Sequence, residues 1–293
     1  MKARCVLQAQ AGLAEGPHWW AEKGVLLWVD IEASRVGLFD PVTGLNRFLV
    51  VPSHVGAVVP MSDGELLVAT AQGFVRLHPD SGVVSSLQDP EDDRPGNRFN
   101  DGKCDPWGRF WAGSMAYDFA AGAGSLWRVN ADFSCVRQRQ GLTISNGLAW
   151  SQDRGTLYFI DSPTRQVLAF PLTPSGDLLG EATPCITIPK AWDALPDGMC
   201  IDAEGKLWIA LFGGGAVTRW DPVSGLLLER LELPCRQVTS CCFGGPNLDQ
   251  LFVTTARQEM DAAAIKAEPL AGGLFQADVG VNGLAAACFQ VAV

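Results

Sequence analysis

From Asp197 to Gly225 the chain reads DGMCIDAEGKLWIALFGGGAVTRWDPVSG, and this stretch matches a second one, DGKCDPWGRFWAGSM…GSLWRVN, from Asp101 to Asn130. Each opens on Asp-Gly, runs through a short apolar strand into a polar turn ending in Gly, and resumes as a strand carrying Trp or Phe. Lys206-Leu207-Trp208-Ile209-Ala210 reads as part of a period-two hairpin, with one face toward a core. The intervening turns are Asp-Gly, Glu-Gly or Arg-Gly, which tight hairpins favour because Gly takes φ > 0 without a Cβ clash.

Working outward, the same phrase recurs at Asn146 (NGLAWSQDRGTLYFIDSPTRQVLAFPLTPSG) and at Glu15 (EGPHWWAEKGVLLWVDIEASRVGLFDPVTG). Fainter copies begin near Gly56 and near Ser240. Six starts, near 15, 56, 101, 146, 197 and 240, are spaced by about 41 to 51 residues, the length of one four-stranded propeller blade. A lone blade cannot bury both faces, so stacking each sheet on its neighbours supplies the core, and closing the ring removes long exposed edges. The expected fold is therefore all-β, a six-bladed β-propeller forming one domain over residues 1–293. Trp28, Phe110, Trp127, Trp208 and Trp220 are read as blade-packing aromatics.

Composition agrees. Hydrophobic residues are 47% and charged residues 18% of the chain, enough apolar material for a packed core and too little charge for a disordered one. A formal net charge of −10 without a Lys/Arg run argues against a nucleic-acid partner. The opening MKARCVLQAQAGLAEG lacks the apolar core of a signal peptide, and no later stretch approaches the roughly 20 apolar residues of a membrane span. A cytoplasmic protein without a membrane partner, monomeric or weakly homo-oligomeric, is expected. Nine cysteines, an odd number without framework spacing or a CxxC pair, are read as reduced thiols rather than as disulfides or a zinc site.

In a propeller the innermost strands line a central channel, so equivalent repeat starts converge on one axis. Those starts carry Glu15, Asn100-Asp101, Asn146 and Asp197. Asp or Asn before Gly is commonly nothing more than a turn; convergence of four such starts makes a site. Oxygen donors of this kind suit one divalent cation, Ca²⁺, Mg²⁺ or Mn²⁺ ahead of Zn²⁺ or Fe²⁺. His18 is read as structural or substrate-facing rather than as a catalytic base. No GxSxG elbow accompanies a His/Asp pair, which disfavours a serine nucleophile.

At these residues the chain resembles the senescence-marker-protein, gluconolactonase and luciferin-regenerating-enzyme family of six-bladed propellers, over nearly its whole length. The matching segments are Glu15-Gly16-Pro17-His18-Trp19, Arg98-Phe99-Asn100-Asp101-Gly102, Asn146-Gly147-Leu148-Ala149-Trp150 and Pro196-Asp197-Gly198 through Asp202. The tail, Cys242 to Arg257 and Pro269 to Phe275, looks like the bacterial sugar-lactonase branch. The resemblance implies that Glu15, Asn146 and Asp197 hold the metal, that Asp197 is also the catalytic residue, and that Arg98 and Asn100 contact substrate. Asp101, His18 and Tyr117 are placed with them on the substrate side, although the loop from Tyr117 to Gly122 departs from the family pattern.

The implied activity is metal-dependent hydrolysis of a sugar (aldono)lactone to the aldonic acid in carbohydrate catabolism, with the small-molecule lactone as partner. Two other readings stand beside it: a non-catalytic calcium-binding or interaction propeller, and a metal-dependent hydrolase of other esters or organophosphates.

Overall fold

A computed structural model of the chain, describing residues 2–292, forms six antiparallel four-stranded sheets. Their innermost strands are Ala14–Trp20, Val55–Pro60, Asn97–Cys104, Ser145–Trp150, Leu195–Ile201 and Val238–Gly244. Each touches the next, and the last touches the first. The ring is a six-bladed β-propeller, with blade starts within a few residues of the repeat starts read from the sequence.

The apolar residues do not form one core. They divide into six clusters, each filling the gap between two adjacent blades. Trp28, Trp111 and Trp208 are fully buried in three of these wedges, as expected of side chains that carry large apolar area on a strand.

The repeated turn has a shared internal scaffold. Asp202 Oδ1 accepts hydrogen bonds from the Glu204 and Lys206 amides, both 2.9 Å, while Oδ2 accepts from Trp208 Nε1 at 3.0 Å and Arg219 Nε at 2.8 Å. Asp105 does the same two blades earlier for the Trp107 and Arg109 amides, Trp111 Nε1 and Arg109 Nε. Both carboxylates are fully buried, and each is compensated by a guanidinium and oriented N–H groups.

The sixth blade is completed from the other end of the chain. Its outermost strand is Arg4–Leu7, paired with Leu274–Asp278, and Arg4 Nη2 donates to Gln276 Oε1 at 2.7 Å. The repeat reading began its first unit at Glu15 and did not assign this strand; it is short and carries no repeat phrase. Beyond Asp278 the tail crosses the end of the ring remote from Glu15, where Gly283 pairs with Asp202 and Phe289 is buried beside Met61. Among the described residues the one α-helix, Ala262–Ala267, is capped by Asp261, and no helix is long and apolar enough to cross a membrane.

Asp202→Ala strips a buried indole N–H, two turn amides and Arg219 of their shared acceptor. Breaking such a buried pair should cost about 3 kcal/mol, read as a fall in the urea midpoint, whereas Asp202→Asn, which keeps the oxygen facing the turn, should cost about half as much.

Candidate active site

Every innermost strand carries one extra residue at the same point. The pairing register with the second strand slips between Glu15 and His18, Val55 and Ala57, Phe99 and Gly102, Ser145 and Leu148, Pro196 and Met199, and Val238 and Ser240. A β-bulge breaks the alternation of side chains and re-aims the residue it contains. In four blades that position holds Glu15, Asn100-Asp101, Asn146 and Asp197. The glycine that follows lets neighbouring inner strands approach: a Cβ on Gly147 would lie 2.8 Å from the Asp197 carbonyl oxygen, and one on Gly198 would run into Ser240 Oγ.

Glu15, Arg98, Asn100, Asn146 and Asp197 all line one open cavity of about 240 Å³ on the axis. Arg98 Nη1 donates to Asn100 Oδ1 at 2.7 Å and to the Phe99 carbonyl at 3.1 Å. Asn100 Nδ2 in turn donates to the Ser145 carbonyl at 2.9 Å and to Asn146 Oδ1 at 3.3 Å. Asn100 thus ties Arg98 and the third blade to the fourth. Asn146 is fixed from its other side by Ser162, whose Oγ accepts from Asn146 Nδ2 at 2.9 Å and donates to the Pro196 carbonyl at 2.7 Å. With Nδ2 committed to Ser162, the amide presents its oxygen to the axis.

The carboxylates are less comfortable. Glu15 and Asp101 each accept one 2.7 Å bond from the following glycine amide, and among the described residues none of Glu15, Asp101 and Asp197 forms an ion pair. Burial, reinforced by the Asp101 charge, pushes the Glu15 carboxyl up to about 8. Burial, followed by the charges of Glu15 and Asp101, holds Asp197 well above the usual carboxylate range, and burial raises Asp101. Arg98, also buried, is pushed down by desolvation despite the surrounding acids. Crowded buried anions lacking a cation in contact are what a bound divalent ion relieves. Two carboxylate donors, Glu15 and Asp197, plus the oriented Asn146 oxygen form an all-oxygen set that fits a hard cation, with water or substrate completing its shell. Among the described residues no three His, Cys, Asp or Glu side chains gather as a metal cluster; a cation here would need the amide as its third donor.

Of the three other residues expected on the substrate side, His18 stands elsewhere, and Tyr117 and Asp101 lie beside the cavity without lining it. His18 lies past the bulge, three residues along the strand from Glu15, and lines the cavities of about 300 and 360 Å³ at the other end of the axis. Its Nε2 is buried without a partner, and burial, with the Lys103 charge, pushes the imidazole down to about 3. It is a neutral packing residue remote from the Glu15 cavity. Tyr117 sits at the rim, 44% exposed, with its hydroxyl 3.0 Å from His54 Nδ1, and does not line the cavity. Asp101 is buried beside the site and shapes its charge without lining it. Sequence reading missed Ser162, which reaches Asn146 only through the hairpin that pairs Ser145 with Asp161, and the apolar residues of the cavity wall, whose types match ordinary strand ends.

A family model described as SMP-30/Gluconolactonase/LRE-like region matches residues 13–257. A Bacillus subtilis (strain 168) protein named as a candidate sugar lactone lactonase, YvrE, is 38% identical over 280 residues, 95% of this chain and 96% of its own. Regucalcin of Xenopus laevis is 38% identical over 297 residues, 99% of this chain and 98% of its own. Among solved structures, a regucalcin from Agrobacterium tumefaciens str. C58, titled a calcium-binding protein, has a TM-score of 0.94 at 30% identity and covers 99% of this chain and 97% of its own. With its propeller closed around the four bulge positions and this match over most of its length, the chain belongs to the SMP-30/gluconolactonase/LRE-like family.

Proposed function

We propose that this chain hydrolyses a sugar lactone to its hydroxy acid, using one divalent cation held by Glu15, Asn146 and Asp197. The observation that carries the reading is the convergence of two unpaired buried carboxylates and an oriented amide oxygen, from three blades, on the floor of an open cavity. A relative named for lactone hydrolysis supports the reaction, and one titled calcium-binding supports Ca²⁺ ahead of Mg²⁺, Mn²⁺, Zn²⁺ or Fe²⁺. A cytoplasmic setting fits the nine free cysteines, of which Cys200 and Cys241 lie 3.6 Å apart between sulfur atoms without a bond.

When bound, the cation supplies Lewis-acid polarisation of the lactone carbonyl and offsets the charge of its carboxylates. The protein supplies the rest. Asp197 accepts a proton from water as the oxygen attacks the carbonyl carbon, and returns it to the ring oxygen as the C–O ring bond breaks. The product hydroxy acid ionises, releasing one proton to solution. Arg98, held by Asn100, presents its remaining N–H groups to substrate hydroxyls and orients the ring. Asp101, which is buried, and Lys103, which is half-buried, fall outside this cavity lining.

Titration of released acid on a panel of aldonolactones, with and without chelator, tests the reading. Chelator should abolish turnover and added cation restore it. Asp197→Asn, which retains an oxygen but loses the base, should lower kcat by about 10²–10⁴-fold, and Asp197→Ala should also remove cation binding measured by calorimetry. Arg98→Ala should chiefly raise KM, with a smaller effect on kcat. Cation binding without turnover of any lactone would leave a calcium-binding propeller, and faster turnover of a phosphotriester would leave a hydrolase of other esters.

Stability should report the cation too. Glu15 is raised from the usual 4.5 to about 8, so the cation-free fold holds more protons than the unfolded chain between those values. It therefore loses stability as pH rises through that window. A cation selects the ionised form, so its stabilisation should grow over the same interval, from little at about pH 5 toward about 2.7 kcal/mol at a hundredfold excess over Kd near pH 8. Thermal melts with and without Ca²⁺ across that range measure it, and Asp197→Asn should flatten the dependence.

A further inference from the structure

The wall above the Glu15–Asn146–Asp197 floor has two unlike sides. Toward the third, fourth and fifth blades it is made of Met115, Ile144, Leu195 and Phe212, with Phe119 at the rim. These residues are locked in pairs by the backbone: Met115 bridges Ile144, and Leu195 pairs with Phe212 at the mouth of the fifth-blade hairpin. Toward the sixth blade the wall carries Gln237, Gln258 and Glu259, with Leu13 beside them through its bridge to Ala256. Gln237 Nε2 donates to the Gln258 carbonyl at 2.8 Å, and its Oε1 is an acceptor with no partner among the described residues.

A hydroxyl turned toward Met115, Ile144, Leu195 and Phe212 would give up its hydrogen bonds to water and receive none from those four side chains; the polar groups on the same blades, Arg98 and Ser162, are engaged with Asn100 and Asn146. A methyl group in the same place would bury apolar area against Met115, Ile144 and Phe212. Phe119 adds to this. Its backbone is left-handed, φ 59°, in the loop after Phe110–Ala116, and its ring is 52% exposed beside the cavity. Such a phenyl gains by covering an apolar substituent and gains little over a hydroxylated one. Glu259 on the opposite side disfavours a lactone that bears a carboxylate.

We infer that the substrate is a neutral deoxyaldonolactone: a sugar lactone with a hydroxylated edge facing Gln237 and the sixth blade, and an alkyl carbon facing Met115, Ile144, Leu195 and Phe212. This rests on the lactone-hydrolase reading of the same site and adds which lactone it takes.

The test is a matched pair of lactones that differ only in CH₃ against CH₂OH at the terminal carbon, L-rhamnono-1,4-lactone and L-mannono-1,4-lactone, with L-fucono- and L-galactono-1,4-lactone as a second pair. Initial rates with Ca²⁺ or Mn²⁺ supplied should give kcat/KM at least about tenfold higher for the methyl member, the discrimination a hydrophobic pocket provides for one small group. Ile144→Thr and Phe119→Ser, each a separate variant, should pull that ratio toward unity by raising KM for the methyl lactone. Equal or reversed preference in both pairs overturns the inference and leaves lactone hydrolysis standing. Hydrolysis of none of the four while another aldonolactone is turned over overturns the inference alone, and no turnover of any lactone overturns both.

Discussion

One extra residue, set at the same pleat of six inner strands, is the constraint from which the site follows. Without it, strict alternation would send the side chains at those positions to the wedge between blades, where an unpaired carboxylate is costly. With it, the chain turns Glu15, Asn100, Asn146 and Asp197 out of the packed wedges and onto a shared axis. The two remaining blades keep the bulge but place Gly56 and Thr239 in it, neither of which brings a charge to the axis. Geometry is common to all six units, and chemistry is confined to some of them.

The fold carries two kinds of buried aspartate, which differ in what faces them. Asp105 and Asp202 are surrounded by indole, amide and guanidinium donors. Asp197, in the same repeat phrase five positions before Asp202, meets other carboxylates and is driven far from its ordinary range. The first kind stiffens the hairpins that hold the wedges, whereas the second stores an electrostatic imbalance that ligand binding can discharge. That division lets a structure of marginal stability tolerate crowded acids at its hub.

The ring was legible because blades repeat, and repeats survive in strand periodicity, Gly turns and Trp spacing even where individual residues change. The convergence of Glu15, Asn100, Asn146 and Asp197 on one cavity was legible for the same reason, since equivalent repeat positions must meet at the axis. His18 misled because nearness in sequence is not nearness along a strand. With the bulge between them, Glu15 and His18 stand opposite Val29 and Leu27, roughly 7 Å of strand at about 3.3 Å per residue, and His18 lines the cavities toward the other end of the axis. Tyr117 lies just past the end of Phe110–Ala116, where its hydroxyl meets His54 and is close enough to feel the Arg98 charge without lining the cavity. Ser162 leaves no mark in the sequence at all, because its tie to Asn146 exists only once a hairpin has formed. The apolar wall is equally silent, for Ile144 or Phe212 reads the same whether it packs on a neighbour or waits for a ligand.

The strand Arg4–Leu7 is synthesised before every other strand of the ring, yet its partner Leu274–Asp278 comes after all of them. During synthesis the earlier blades can stack in succession, each on the one before, as an open arc with a bare edge at either end. Closure has to await release of the final hairpin and then recruit a segment some 270 positions upstream, a slow, long-range step. The nascent arc is therefore the form most exposed to edge-to-edge association, and production of this protein would be limited by how long that arc persists rather than by the strength of the finished ring.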